Sequence, residues 1–237
     1  MIELEIAVQD VAGVRTAFDA GADRVELCQA LTLGGLTPSS AMIEAAVAAA
    51  PTRAVRVLVR ARPGGFVLQE GEFELLCADA RRAIDAGAGA VVVGALTAAG
   101  EVDGPAVERL LEAAGGALVF HRAIDASVDA LAAAEALVAA GVPEALTSGG
   151  AARSIDGATT IAAIARRLPQ LGVVAGGGVR TEDIPALVTA GVRAVHLSAR
   201  VTVPDAPAGP GGGPSSVDRT DATLVRRAAA ATTEARG

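Results

Sequence analysis

Four segments of this chain repeat one local design: Ala20-Gly21-Ala22-Asp23 runs into RVEL, Ala86-Gly87-Ala88-Gly89 into AVVV, Ala140-Gly141-Val142-Pro143 into EALT, and Ala190-Gly191-Val192-Arg193 into AVHL. In each, a helical run stops, glycine takes the left-handed position just past the helix, and a short apolar strand starts two or three residues later. The copies lie 66, 54 and 50 residues apart. That is twice the length of a strand–helix unit, so a further strand is expected between each pair. IELEIAV (2–8), AVRVLVR (54–60), ALVFH (117–121) and VVAG (173–176) are β-rich runs at those places. Eight strands alternating with helices over 237 residues predict the α/β class, as a single (β/α)8 TIM-like barrel spanning residues 1–237. The strands are expected near 2–8, 23–28, 54–60, 90–94, 117–121, 144–148, 172–176 and 193–198. The stretch VPDAPAGPGGGPSS (203–216) reads as a long, flexible Pro/Gly-rich loop, followed by a last helix near 221–234.

Composition removes several classes of function. The chain has no lysine, so all 20 basic side chains are arginine, and Schiff-base chemistry through a lysine is excluded. A formal charge of −7 with 2% aromatic residues argues against nucleic acid or an anionic membrane as partner. The chain begins MIELEIAVQD, with neither a basic leader nor a cleavage site. It holds no apolar run long enough to cross a bilayer, so a cytoplasmic protein is expected. The two cysteines, Cys28 and Cys77, form neither a disulfide framework nor a metal finger.

Barrel strands point alternate residues at the axis, and active sites gather at the strands' C-terminal ends. Glu3 and Glu5 in strand one, Arg24, Glu26 and Cys28 in strand two, and Arg56 and Arg60 in strand three share the inward parity. The deeper members, Glu3, Glu5, Arg24 and Arg56, are expected to neutralise one another as a structural network, since an unpaired buried charge costs several kcal/mol. Nearer the top, Glu26, Arg60 and Arg62 point to function. Cys28 reads either as a small buried apolar residue or as a nucleophile or ligand. Strand five ends in FHRAID, which places His121 and Arg122 at the mouth with Asp125 in the following loop, and strand eight carries His196. A single pocket is therefore expected around Glu26, Arg60, His121, Arg122 and Ser148.

The ends of strands six, seven and eight, LTSGG (146–150), AGGGVR (175–180) and HLSAR (196–200), are rich in small residues. Glycines let backbone N–H groups approach an anion, and barrels often hold a phosphate after strands seven and eight. An anion is expected where Gly177, Gly178, Ser198 and Arg200 meet, helped by a helix starting near Thr181. The alternative is a tight turn, with Arg200 paired to a carboxylate of the last helix.

GADRVELC (21–28), GGLTPS (34–39), RARPGGF (60–66), FHRAID (120–125), LTSGG (146–150), GGGVR (176–180) and HLSAR (196–200), in that order, closely resemble the copper homeostasis protein CutC family. The resemblance implies a TIM-barrel-like fold, a cytoplasmic location, a role in copper homeostasis and a homo-oligomer. Two departures bear on the site. Many members read LEVC in strand one, where this chain has Ala7. The arginine motif often reads RPRGGDF, where this chain has Arg60-Ala61-Arg62-Pro63-Gly64-Gly65-Phe66 without the acidic residue.

Two readings follow. A copper site would use thiolate and imidazole, for which Cys28, His121 and His196 are the candidates. An enzyme or binder of a small anionic metabolite, a phosphorylated one included, would hold the anion with Arg60, Arg62, Arg122, Ser148, Gly177, Gly178, Ser198 and Arg200. Glu26 and His121 would then supply acid–base chemistry. No organic cofactor is expected. A barrel with only a structural or partner-binding role is the third option.

Overall fold

Each Ala-Gly repeat closes a helix and starts a strand in the computed structural model, which describes residues 2–207, 209–211 and 215–236. Gly21, Gly87, Gly141 and Gly191 have φ between 79° and 100°, a region an L side chain rarely adopts. At the first repeat the Gly21 N–H donates to Phe18 O (3.1 Å) and the Ala22 N–H to Ala17 O (3.0 Å), satisfying carbonyls that the helix end leaves open.

The chain runs β1 (Glu3–Val8), α1 (Val11–Asp19), β2 (Arg24–Leu27), α2 (Ser40–Ala48), β3 (Val55–Leu58), α3 (Glu72–Asp85), β4 (Ala90–Val93), α4 (Gly104–Ala113) and β5 (Leu118–Phe120). It continues through α5 (Ala130–Ala139), β6 (Glu144–Thr147), α6 (Ala158–Arg167), β7 (Gly172–Gly176), α7 (Ile184–Thr189) and β8 (Ala194–Leu197). An antiparallel pair, β9 (Arg200–Pro204) and β10 (Ser216–Thr220), and the helix α8 (Ala222–Glu234) complete it. Strands β1 to β8 form a closed barrel in sequence order, every pairing parallel, with β8 returning to β1. This is the (β/α)8 fold that the repeat predicts. Among the described residues, no helix is long and apolar enough to cross a membrane.

Five helices open on a side chain that accepts from their first turn: Asp10 from the Gly13 N–H, Ser39 from Met42, Asp103 from Ala106, Asp129 from Leu131 and Ala132, and Asp221 from Leu224. Such caps typically contribute about 1 kcal/mol each. The core between barrel and helices is aliphatic and Ala-rich, with Leu4, Ile6, Leu27, Leu110, Ile161 and Leu187 fully buried. A second apolar group, with Leu58, Val92, Val119, Leu146 and Val174 and also Cys28, fills part of the barrel interior. The charged residues of the interior come from β1, β2, β3, β6 and β8.

The expected loop at 203–216 is narrower than its composition suggests. Val203 and Pro204 lie in β9 and Ser216 in β10, paired from Ser216↔Pro204 to Thr220↔Arg200. The β-branched, polar-alternating flanks Arg200-Val-Thr-Val and Ser216-Val-Asp-Arg-Thr form a ribbon on either side of the Pro/Gly tract. Of that tract, residues 208 and 212–214 lie outside the described residues.

Candidate functional site

Barrel register builds the site from below. It sets Glu5 beside Arg24 and His196, and Glu26 beside Arg56. Arg24 pairs with Glu3, with Glu5 (Nε–Oε2 2.6 Å) and with Glu144 (3.2 Å). Arg56 makes a two-pronged contact with Glu144 (2.8 and 2.9 Å) and approaches Glu5 at 3.3 Å. The expected network of Glu3, Glu5, Arg24 and Arg56 is thus present, with Glu144 as a fifth member. Glu144 has the inward parity of β6 and was legible by the same rule.

Above this network lies a proton-bearing cluster. Glu5, only 2% exposed, also meets His196 Nδ1 at 2.7 Å. Burial raises its pKa, but Arg24, the His196 hydrogen bond and Arg56 outweigh that and hold the carboxyl far below the usual carboxylate range. Glu26, 5% exposed, has no such pairing: its Oε2 is buried without a hydrogen-bond partner. Burial therefore raises its pKa, with Glu5 adding to the rise and His196 and Arg56 opposing it. Burial pulls His196 down, but Glu26 and Glu5 reverse the sign and raise it. The ligating atoms of Glu5, Glu26 and His196 all lie within 4.8 Å of one another. The chemical outcome is an ionised Glu5 that orients His196, with Glu26 and His196 both shifted towards their protonated forms.

The mouth of the barrel opens over this cluster as a cavity of about 360 Å³ lined, among others, by Glu26, Arg60, Phe66, His121, Arg122, Gly177, Gly178, His196, Ser198 and Arg200. Most of the predicted site residues are therefore brought together. Arg60 is clamped by the carbonyls of Leu33, Gly35 and Gly64 (3.3, 3.2 and 2.7 Å), and its Nε is buried without a partner. Desolvation, and Arg62 next, lower its pKa. Its guanidinium lies 5.3 Å from the Phe66 ring centre, which is 4.8 Å from that of His121.

Arg122 donates to Asp125 (2.8 Å) and to Ser148 Oγ (3.0 Å). Asp125 in turn accepts from the Thr147 hydroxyl (2.6 Å) and from the Ser148 and Gly150 N–H groups (2.9 and 3.1 Å). It fixes both the arginine and the loop after β6. Arg122 lies against Gly177, where a Cβ would stand 2.8 Å from the guanidinium carbon. Gly177 and Gly178 have φ of 107° and 60°. Their N–H groups make no hydrogen bond among the described residues.

Several expectations need correction. Arg62 turns away to pair with Glu72 and lines a separate, smaller cavity, because Glu72 opens α3 directly behind it. Ser148 is fully buried and donates to Ala151 O (2.6 Å), so it positions Arg122 from behind instead of lining the cavity. His121 accepts the Ala123 N–H on Nδ1 (3.2 Å). Burial and the nearby Arg60 push its pKa down to about 4, so it stays neutral as a hydrogen-bonding wall. The histidine that clusters with Glu26 is His196.

Cys28, His121 and His196 do not form a ligand set. Among the described residues the only such group of three or more is Glu5, Glu26 and His196. Cys28 is buried with Leu58 and Leu146, its thiol facing Val8 O at 3.7 Å. Burial and then Glu26 push its pKa far up, which disfavours the thiolate that copper binds. Arg200 lines the cavity but pairs with Asp218 of β10 (2.8 Å), not with the last helix. The expected helix near Thr181 is a 3₁₀ turn followed by the six-residue α7. Thr181 forms no cap; the Arg180 N–H is taken by Asp183 (2.9 Å), so no helix end serves an anion here.

Comparison with known proteins gives consistent answers. The CutC family model matches residues 2–201. A CutC family protein of Xylella fastidiosa is 42% identical over 203 residues, covering 84% of this chain and 76% of its own length. One of Photobacterium profundum is 36% identical over 206 residues, covering 86% and 84%. A crystal structure from Streptococcus agalactiae, described as that of a copper homeostasis protein CutC, superposes with a TM-score of 0.76 at 30% identity, over 83% of this chain and 98% of that one. A thiamine phosphate pyrophosphorylase of Pyrococcus furiosus, at 14% identity and a TM-score of 0.63 over 100% and 98%, shares the barrel fold alone.

Proposed function

Because the chain belongs to the CutC family of copper homeostasis proteins, we propose that its contribution there is made through a barrel-mouth site for a small anionic metabolite, and not through thiolate ligation of copper. The observation that carries this reading is the convergence of Arg60, Arg122 and Arg200 on one cavity that Cys28 does not line. Beside them stand the open Gly177 and Gly178 N–H groups. Charged N–H donors held by carbonyls and carboxylates are preorganised for a carboxylate or phosphate. Glu26 and His196, with Glu5 behind them, set two titratable groups at the cavity floor, and neutral His121 forms a polar wall. Together these suit proton transfer on the bound anion.

One observation favours direct copper binding: the clustered donor atoms of Glu5, Glu26 and His196. Imidazole and carboxylate suit a divalent ion. Glu5, however, already faces Arg24, Arg56 and His196, and a cation there would displace His196 and sit against two guanidinium groups. The electrostatics weigh against it.

Calorimetric titration of the metal-free protein with inorganic phosphate, and competition titration with Cu(I) and Cu(II), separate the readings. Phosphate binding weakened at least tenfold by Arg122→Ala and unchanged by Cys28→Ser supports the anion site. One tight copper equivalent, lost on Cys28→Ser or His196→Ala, with no phosphate heat, overturns it. The same reading carries a cytoplasmic location and self-association, the latter checked by light scattering.

A further inference from the structure

The floor and the wall of the cavity are joined by two consecutive glycines. At Gly176, paired in register with His196, a Cβ would stand 3.3 Å from His196 Cβ and 3.4 Å from its Cδ2. At Gly177 a Cβ would stand 2.8 Å from the Arg122 guanidinium carbon. The imidazole and the arginine thus flank consecutive residues of one strand end, and both line the same cavity. Glu26 adds an independent sign of a ligand. It is 95% buried and lines the cavity, and its Oε2 has no partner within the protein. A buried carboxyl oxygen left unpaired is expensive unless something else binds it.

We propose that the occupant is a short phosphate monoester carrying a hydroxyl or carbonyl oxygen three bonds from its ester oxygen. The phosphate lies on the Gly177 and Gly178 N–H groups beneath Arg122, and the second oxygen is received by Glu26 and His196. This rests on the reading of the cavity as an anion site and adds the second point of attachment. That second point selects a small hydroxy- or keto-phosphate over a bare phosphate or an alkyl ester. Neither position takes a side chain: at Gly176 a Cβ would stand 2.4 Å from Leu146 Cδ1, and Gly177 has a φ of 107°.

The test is calorimetric titration with three probes, inorganic phosphate, ethyl phosphate and glycerol 3-phosphate, against the parent and Glu26→Ala. Ethyl phosphate has the ester but lacks the second oxygen. The parent is expected to bind glycerol 3-phosphate about tenfold or more tightly than ethyl phosphate, the scale of one hydrogen bond to a buried polar group. Glu26→Ala is expected to erase that ratio, and its urea unfolding curve shows that the variant is folded. Equal binding of the two esters by the parent overturns the second attachment point and leaves the anion site standing. A ratio that survives Glu26→Ala overturns the assignment to Glu26. No heat from any of the three overturns the anion reading and this inference with it.

Discussion

Glu5 and Glu26 are both buried barrel glutamates, yet replacing them by glutamine is expected to have opposite consequences. Glu5 accepts from Arg24 at 2.6 Å, faces Arg56 at 3.3 Å and meets His196 at 2.7 Å. Removing one member of a buried charge cluster costs about 3–5 kcal/mol because its partners stay desolvated and unpaired. The lower end applies here, since Arg24 keeps Glu3 and Glu144, and Arg56 keeps both oxygens of Glu144. Glu5→Gln should therefore lose about 3 kcal/mol, which for a chain of this size is a fall in Tm of roughly 6–12 °C. Glu26 has a free oxygen and a pKa raised by burial. Its ionised form thus opposes folding, and an amide of the same shape should stay within about 1 kcal/mol of the parent at neutral pH. Urea unfolding of the three proteins at neutral pH measures both. Equal losses, or a larger one for Glu26→Gln, would refute the division into a structural and a ligand-facing carboxylate.

The chain's two histidines make its titration readable by NMR. His121 should titrate near pH 4 and His196 above the ordinary histidine value, and the reverse order would contradict the site's electrostatics. The stability terms follow in sign. His121's lowered pKa contributes stability that is full above about 6.5 and lost as pH falls towards 4. His196's raised pKa contributes stability that is full below about 6.5 and lost as pH rises through its folded value, and Glu5's term is lost below about 4.5. Iodoacetamide should label Cys28 in the native protein far more slowly than in urea, since the thiol is buried and its pKa is raised; equal rates by mass spectrometry would reopen a thiolate role. Gly94→Ala would put a Cβ 2.7 Å from His121 Nδ1, so a loss of about 1–3 kcal/mol is expected in urea unfolding, and a neutral result would mean that the imidazole is free to move.

The barrel was legible because its signals are local. An Ala-Gly stop followed by a β run fixes where each helix ends, and inward parity picked out Glu5, Arg24, Glu26 and Arg56. The β9–β10 ribbon was hidden because the composition of its Pro/Gly tract outweighed the short β-branched flanks. The site was legible as a set of strand ends but not in its pairings. Arg62 and Arg60 are two residues apart, and only the start of α3 decides that Glu72 captures the former. His121 and His196 both sit at strand ends, and sequence could not show that Nδ1 of one is taken by a backbone N–H while the other is held by Glu5 from 191 residues away. Cys28 has the parity of a ligand, but its environment is set by Leu58 and Leu146 from other strands.

The most direct test of the central claim is a crystal structure of the metal-free protein grown in phosphate, with difference density inspected at the barrel mouth. The account predicts a tetrahedral anion on the Gly177 and Gly178 N–H groups within hydrogen-bonding reach of Arg122, absent from the same crystals of Arg122→Ala. An empty mouth at saturating phosphate, or an anion held elsewhere on the molecule and indifferent to Arg122, would contradict it.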